Sequence, residues 1–191
     1  ALYRLADRVF IHHPLAVSVL DWLPDTNKLC LGEHGDFGVA AAENISRTEA
    51  RQSLGLAETD FVVTHVGHVR DYKGLTDYLP VLFEQLVSMP RMQLVIAGQI
   101  RSRSVRRWLD EHRHPRLMVR NAFLSEADLV AQMRAADIGF LSYDSVLTSG
   151  SLFHWLTCGR AVLAPASGTI PAYLVDGWNG FVYKDADSLK R

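Results

Sequence analysis

Apolar residues from position 61 onward follow two alternating patterns, short continuous runs and longer stretches with an apolar residue every three or four positions. The runs at 61–66 and 92–97 are rich in β-branched and aliphatic residues and each ends at a glycine, which is typical of buried strands. Between them, four leucines recur at helical spacing. That spacing predicts a helix with one apolar face over 75–88.

The same alternation continues toward the C-terminus. Ser125 and Asp128 resemble a capping box at the start of one helix. Strand and helix patterns alternate five times with short connections, which favours an α/β fold, a doubly wound parallel sheet (Rossmann-like) with helices on both faces. The further predicted strands are 117–119, 138–141, 161–164 and 181–183, and the further helices are 103–113, the stretch after Ser125, 151–157 and 171–175.

The first 45 residues follow a different pattern, with two short apolar runs around a predicted helix and then a glycine-containing loop. Ser46 and Glu49 form a capping-box pattern that predicts a new helix, ended by Gly55. We place a domain boundary within 34–45, and we assign 1–40 to the end of a preceding domain with its linker and 41–191 to the main domain. The two runs are residues 8–13 and 28–31, the helix is 14–22 and the loop is 35–38.

Composition and charge exclude several classes of function. The 191 residues include 20 basic and 21 acidic ones, for a net charge of −1, so nothing in the overall charge favours nucleic-acid binding. Cys30 and Cys158 lie far apart without a CxxC spacing, which predicts neither a disulfide framework nor a zinc site and favours a reducing, cytoplasmic location. His12 and His13 have no second pair at metal-ligand spacing, so no metal site is predicted.

The loop after the strand at 61–66 is the first candidate for binding chemistry. Gly67 and Gly74 allow a close backbone approach, and Arg70 and Lys73 bring two cations to the same rim. Ligands bind at the carboxyl ends of strands in such sheets, and arginine and lysine both suit phosphate oxygens. The sequence therefore suggests a phosphate-binding loop. A solvated loop with ordinary surface cations is the alternative.

Two more strand-end segments carry candidate groups. Ser149, Gly150 and Ser151 begin a helix without an acidic first turn, which suits an anion, and the alternative is plain capping by Thr148 or Ser149. In the segment 121–125, Phe123 and the backbone near Ser125 are candidates to border a flat base. A buried phenylalanine in the core is the alternative there.

These segments resemble, in their order and spacing, the C-terminal domain of glycosyltransferase family 4, whose members are retaining enzymes with the GT-B fold. No single motif is decisive, and the resemblance covers about residues 34–184. It rests on G-H-V-R-D-Y-K-G at 67–74, on H-G at 34–35 with S-R-T-E-A-R-Q-S-L-G-L at 46–56, on T-C-G-R-A-V-L-A at 157–164 and on D-G-W-N-G-F-V at 176–182.

The resemblance implies transfer of a hexose from a nucleoside diphosphate sugar. Arg70 and Lys73 would hold the diphosphate as catalytic groups, with the helix start at 149–151 beside them. Gly67, Phe123 and Ser125 would border the donor, and position 154 would meet its ribose. Retention of anomeric configuration, independence of a metal and the need for no cofactor besides the donor follow by the same analogy.

The sequence also departs from the family pattern. Two glutamates eight positions apart are usual around that helix, and Val146 and His154 occupy those positions. His68 likewise stands where many members place arginine. A non-catalytic GT-B-like module that binds a nucleotide sugar or a partner protein is therefore the first alternative, and a GT-B-type sugar-nucleotide epimerase is the second.

The partners are also inferred from the resemblance. The acceptor, a saccharide, lipid or small molecule, would be held by an N-terminal domain outside this chain, and that domain would make any peripheral membrane contact. We expect this fragment alone to transfer no sugar.

Overall fold

A computed structural model describes residues 5–20, 22, 25–35, 38 and 45–190. Residues 5–20 and 25–35 contribute a small parallel pair of strands, β1 (Val9–Ile11) and β2 (Leu29–Leu31). Helix α1 (Leu15–Val19) and a 3-10 turn (Thr26–Lys28) lie between them. The predicted helix over 14–22 is shorter than expected, because Pro14 is its N-cap and Leu20 already leaves the helical conformation.

The larger part of the chain alternates strands and helices as the sequence predicts. Its strands are β3 (Phe61–Val66), β4 (Met92–Ala97), β5 (Leu117–Arg120), β6 (Ile138–Phe140), β7 (Ala161–Pro165) and β8 (Gly180–Tyr183). Its helices are α2 (Arg47–Leu54), α3 (Leu75–Ser88), α4 (Arg103–Glu111), α5 (Glu126–Ala135), α6 (Gly150–Thr157) and α7 (Ile170–Tyr173), with 3-10 turns at Asp71–Lys73 and Ser188–Lys190.

The six strands form one sheet in the order β5-β4-β3-β6-β7-β8, and every pair is parallel. Alternate residues of β3 point to opposite faces. Val62 and Val66 belong to a core with α5 and α6, whereas Val63 belongs to a core with α3 and α4. The prediction of a doubly wound parallel sheet is confirmed.

The strand order reverses between β3 and β6. From β3 the chain moves outward through β4 to β5, and from β6 it moves the other way through β7 to β8. The connections after β3 and β6 therefore separate at the carboxyl end of the sheet and leave a crevice there. Ligands bind at this position in doubly wound sheets.

The local signals at α2 are confirmed. Ser46 accepts a hydrogen bond from the Glu49 amide, and the Glu49 carboxylate accepts one from the Ser46 amide, which completes the capping box. Gly55 ends the helix at a φ of +69°. Helix α4 stops at Glu111, two residues before the predicted end, because the backbone of His112 has already left the helical conformation.

Part of the N-terminal prediction falls outside the described residues. The loop predicted at 35–38 includes positions 36 and 37, and the boundary region 34–45 includes positions 36–37 and 39–44. The division into residues 1–40 and 41–191 thus stays a prediction. The described N-terminal segment contacts the main sheet region through His34, whose ring stacks on Phe153 with centroids 4.0 Å apart. Among the described residues, no helix has the length and apolar character needed to cross a membrane.

Candidate functional site

The floor of the crevice is formed by two glycines that follow neighbouring strands. Gly67 follows β3 with a φ of +113°, and Gly98 follows β4 with a φ of +127°. A Cβ on Gly98 would lie 2.0 Å from the Gly67 carbonyl oxygen. Only glycine fits this contact, both for its conformation and for its lack of a side chain.

Lys73 is the buried cation of the crevice. A 3-10 turn carries it inward, and Gly74 follows at a φ of +62°, against the Asp144 carboxylate. Burial lowers the pKa of Lys73, and the positive charge of the exposed Arg70 lowers it further. Within the described ranges no carboxylate forms an ion pair with Lys73. A bound anion would therefore relieve an unfavourable charge.

Tyr143 connects Lys73 to the start of α6. The Lys73 ammonium lies over the Tyr143 ring, 5.7 Å from its centroid. The Tyr143 hydroxyl lies 2.9 Å from the Ser149 hydroxyl, and Ser149 caps α6 by accepting a hydrogen bond from the Leu152 amide. Ser149 thus caps the helix, the role predicted from the sequence as the alternative to anion binding at this helix start. The half-buried residues after it, Gly150 and Ser151, begin a helix with no acidic first turn.

His65 lies fully buried on β3. Its Nδ1 donates a hydrogen bond to the Phe140 carbonyl, 3.1 Å away, because a carbonyl only accepts. Nε2 is then a bare acceptor, and it is buried with no hydrogen-bond partner in the described part of the chain. Burial and, secondarily, the charge of Lys73 lower the pKa of His65 to about 3, against the opposing effect of the Phe140 bond.

Acid should destabilise the fold through His65. Because the pKa falls from 6.5 to about 3 on folding, the unfolded chain takes up a proton below about pH 6.5 that the folded chain does not. We expect stability to fall as pH drops through this window, by on the order of 1 kcal/mol per pH unit. Urea unfolding at several pH values should show that the free energy of unfolding depends less steeply on pH in His65→Leu than in wild type. His68→Leu, the same change at an exposed position, is the control. If the free energy of unfolding has the same slope against pH in wild type and His65→Leu, the lowered pKa of His65 is not the cause of the acid destabilisation.

A cavity of about 230 Å³ opens beside the crevice, where β3, β4 and β5 end. Phe123 lines it and is 75% exposed, so the alternative that placed this phenylalanine in the core is wrong. The segment after β5 turns outward, so Phe123 does not reach either core. Gly67 shares the cavity, and Ser125 caps α5 close by, accepting from the Asp128 amide. The other lining residues are His68, Gly98, Gln99, Leu124 and Leu129.

His154 lies on α6 and Val146 in the loop before it, and these are the positions that correspond to the two glutamates of the family 4 pattern. His154 is 9% exposed, and Leu152 and Trp155 are the other buried residues of α6. Burial lowers its pKa, against the opposing charge of Glu126. The Val146 carbonyl lies against Gly168, where a Cβ would come within 1.8 Å of it. A ribose contact by His154 stays a prediction.

Sequence patterns did not identify Tyr143, which contacts Lys73 and Ser149, or His65, which is buried on β3 and lies close enough to Lys73 for that charge to lower its pKa. Each lies near the carboxyl end of a strand, Tyr143 three residues beyond β6 and His65 one residue before the end of β3. Both could have been selected from the sequence by considering every polar or aromatic residue beside the carboxyl end of a predicted strand. The roles of Arg70, Lys73, Gly150 and the other predicted site residues stay predictions, although the structure brings Lys73 and Ser149 to opposite sides of one tyrosine.

A larger cavity, of about 550 Å³, is a poorer candidate. Its lining includes Leu109 in the last turn of α4, and Arg113 and Pro115 in the connection from α4 to β5. That connection is at the amino edge of the sheet, away from the switch point. The described residues contain no group of three or more histidine, cysteine, aspartate and glutamate side chains that could hold a metal ion.

The fold is a doubly wound, Rossmann-like domain of the kind that GT-B-type proteins contain, and comparison with known proteins identifies the family. The sequence profile described as Glycosyl transferases group 1 matches residues 60–191, more than half of the chain. The chain belongs to this family.

Similar proteins agree with that assignment. The GDP-mannose:glycolipid 4-beta-D-mannosyltransferase of Xanthomonas campestris pv. campestris is 29% identical over 121 residues, which cover 62% of this chain and 34% of that protein. Sucrose-phosphate synthase from Thermosynechococcus elongatus superposes with a TM-score of 0.79 at 20% identity, over 97% of this chain and 47% of that one. HepE from Anabaena, solved with UDP and glucose, superposes with a TM-score of 0.75 at 18% identity, over 98% of this chain and 53% of HepE. The chain thus spans about a third of the curated relative and about half of the structural neighbours.

Proposed function

We propose that this chain is the donor-binding domain of a glycosyltransferase that moves a hexose from a nucleoside diphosphate sugar to an acceptor. The observation that carries the proposal is the buried cation Lys73, which shares Tyr143 with the start of α6 at the topological switch point. Cations and free helix amides on two sides of one crevice suit a diphosphate. The name of the Xanthomonas relative and the UDP in the HepE structure support this substrate class.

In the proposed mechanism the protein stabilises the leaving group. Negative charge grows on the diphosphate as the bond to the sugar breaks, and Arg70, Lys73 and the amides at Gly150 and Ser151 would offset it. The cavity at Phe123 would receive the base, and His154 would face the ribose. We propose retention of configuration and no need for a metal or cofactor, following the family 4 resemblance.

The remaining parts of the proposal concern the whole protein. A further domain would hold the acceptor, a saccharide, lipid or small molecule, and would make any peripheral membrane contact. We propose a cytoplasmic location and no nucleic-acid partner.

A panel of nucleotides tests the proposal. Calorimetric titration of this chain with GDP, UDP, ADP and their hexose derivatives should show binding of one base class, because the cavity at Phe123 discriminates bases while the crevice holds the shared diphosphate. The isolated chain should transfer no sugar, since the acceptor side of the cleft is formed by another domain. Failure to bind any of these nucleotides would refute the donor-binding function, and robust transfer would refute the dependence on a second domain.

The second candidate function is a non-catalytic module that binds the nucleotide sugar without turnover. The residues that favour it are Val146 and His154, since neither supplies the carboxylate that the family 4 pattern has at these positions. Both candidates predict nucleotide binding by this chain. Turnover by the protein with both GT-B domains would separate them, because only the enzyme releases free nucleoside diphosphate in the presence of acceptor.

A further inference from the structure

Tyr143 occupies an unusual position between the two groups proposed to hold the diphosphate. It is 6% exposed and follows β6 at the switch point of the sheet. One end of the side chain, the ring, lies beneath the Lys73 ammonium at 5.7 Å from centroid to Nζ. The other end, the hydroxyl, lies 2.9 Å from the Ser149 hydroxyl at the cap of α6.

These two contacts act on different groups. An aromatic face attracts a cation and restricts where it sits, and the attraction is stronger where water is excluded. The bond between the two hydroxyls restrains Ser149, whose oxygen also accepts from the Leu152 amide. The distance between the Lys73 cation and the helix start is therefore set by one rigid side chain.

We propose that Tyr143 is a positioning residue for the donor diphosphate, holding Lys73 and the start of α6 at the separation that the two phosphates require. This proposal rests on the proposed donor-binding function. Tyr143 acts through Lys73 and Ser149. Fixed groups bind a ligand more tightly than mobile ones because less freedom is lost on binding.

The two ends of Tyr143 can be removed separately. Tyr143→Phe keeps the ring under Lys73 and loses only the bond to Ser149, so diphosphate affinity should fall about five-fold, the effect of one hydrogen bond. Tyr143→Leu loses both contacts, and affinity should fall on the order of 30-fold once the cation–aromatic contact is also gone. The probes are GDP with guanosine, or UDP with uridine, whichever pair the wild-type chain binds.

The control is another buried tyrosine of the same region. The Tyr183 hydroxyl donates to the Leu141 carbonyl at 2.6 Å and is also hydrogen-bonded to Tyr78, so Tyr183→Phe removes a buried hydroxyl and its bonds but touches neither Lys73 nor Ser149. Its diphosphate affinity should match wild type. A general loosening of the fold would instead weaken binding in both phenylalanine variants.

The nucleoside supplies the decisive readout. A positioning role lowers affinity for the diphosphate and leaves affinity for the nucleoside unchanged, because only the diphosphate meets Lys73 and the first residues of α6. A double-mutant cycle should also show that Tyr143→Phe with Ser149→Ala costs less than the sum of the single changes.

Three results would overturn the inference. They are equal losses for diphosphate and nucleoside, equal affinities for Tyr143→Phe and wild type, and strict additivity with Ser149→Ala. A wild-type chain that binds no nucleotide would overturn the proposed function and the positioning role with it.

Discussion

Replacing Arg70 and Lys73 together with alanine should cost several kcal/mol of nucleoside diphosphate affinity, roughly 1.5–3 kcal/mol for each charge-assisted contact. Lys73 should account for the larger share, because it is buried and its charge is poorly screened there. Arg70 is exposed, so solvent and salt weaken its contribution. Titration calorimetry at fixed ionic strength measures the loss. At higher salt, the loss caused by Lys73→Ala should change less than the loss caused by Arg70→Ala, because salt screens the exposed Arg70 charge more strongly.

A charge-matched control separates direct contact with the diphosphate from long-range attraction of the nucleotide by the net charge of the chain. Arg91 and Arg113 are exposed at the amino edge of the sheet, just before β4 and just after α4, and replacing both with alanine also removes two positive charges from the chain. We expect this control to bind nucleotide as wild type does at physiological salt. Unchanged affinity in the Arg70 and Lys73 double variant, or an equal loss in the control, would contradict the proposed diphosphate site.

Most of the fold could be predicted from the sequence because its signals are local. The β-branched runs, the leucine spacing of α3 and the capping residues Ser46 and Ser125 each depend on neighbours in the chain, and the structure confirms them. The strand order was not predicted, since it depends on which buried faces pack together. The reversal at β3 and β6, which creates the crevice, is a property of that order.

The site was predicted only where a motif or a strand end marked it. Lys73 and Ser149 were identified by their positions after strands, but their common neighbour Tyr143 belongs to no motif and becomes visible only through packing. Phe123 shows the opposite case. Its hydrophobicity allowed a core position, yet the turn after β5 leaves it exposed, and local sequence does not determine which way such a turn faces.

A second large effect is expected far from the crevice, at the amino edge of the sheet. Arg51 is completely buried, and its guanidinium joins α2 to three other segments. Nε donates to the Ala135 carbonyl at the end of α5, and Nη2 donates to Asp137 at 2.8 Å. Asp137 in turn accepts from the Val62 amide at the start of β3, 2.7 Å away. The remaining acceptors of Arg51 are the carbonyls of Ala57, Glu58 and Asp60.

Replacing Arg51 with methionine should therefore lower the free energy of unfolding by about 3–5 kcal/mol, because it leaves buried carbonyls and part of a carboxylate without their donor. Arg47→Met provides the matched control, since Arg47 pairs with the same Asp137 but its side chain is 39% exposed. That change should cost about 1 kcal/mol or less, as exposed ion pairs do. Urea unfolding followed by tryptophan fluorescence measures both variants, with an unchanged dependence on denaturant indicating that only stability has changed. If the two substitutions cost the same, Asp137 alone would explain the effect and the buried carbonyl contacts of Arg51 would contribute nothing measurable.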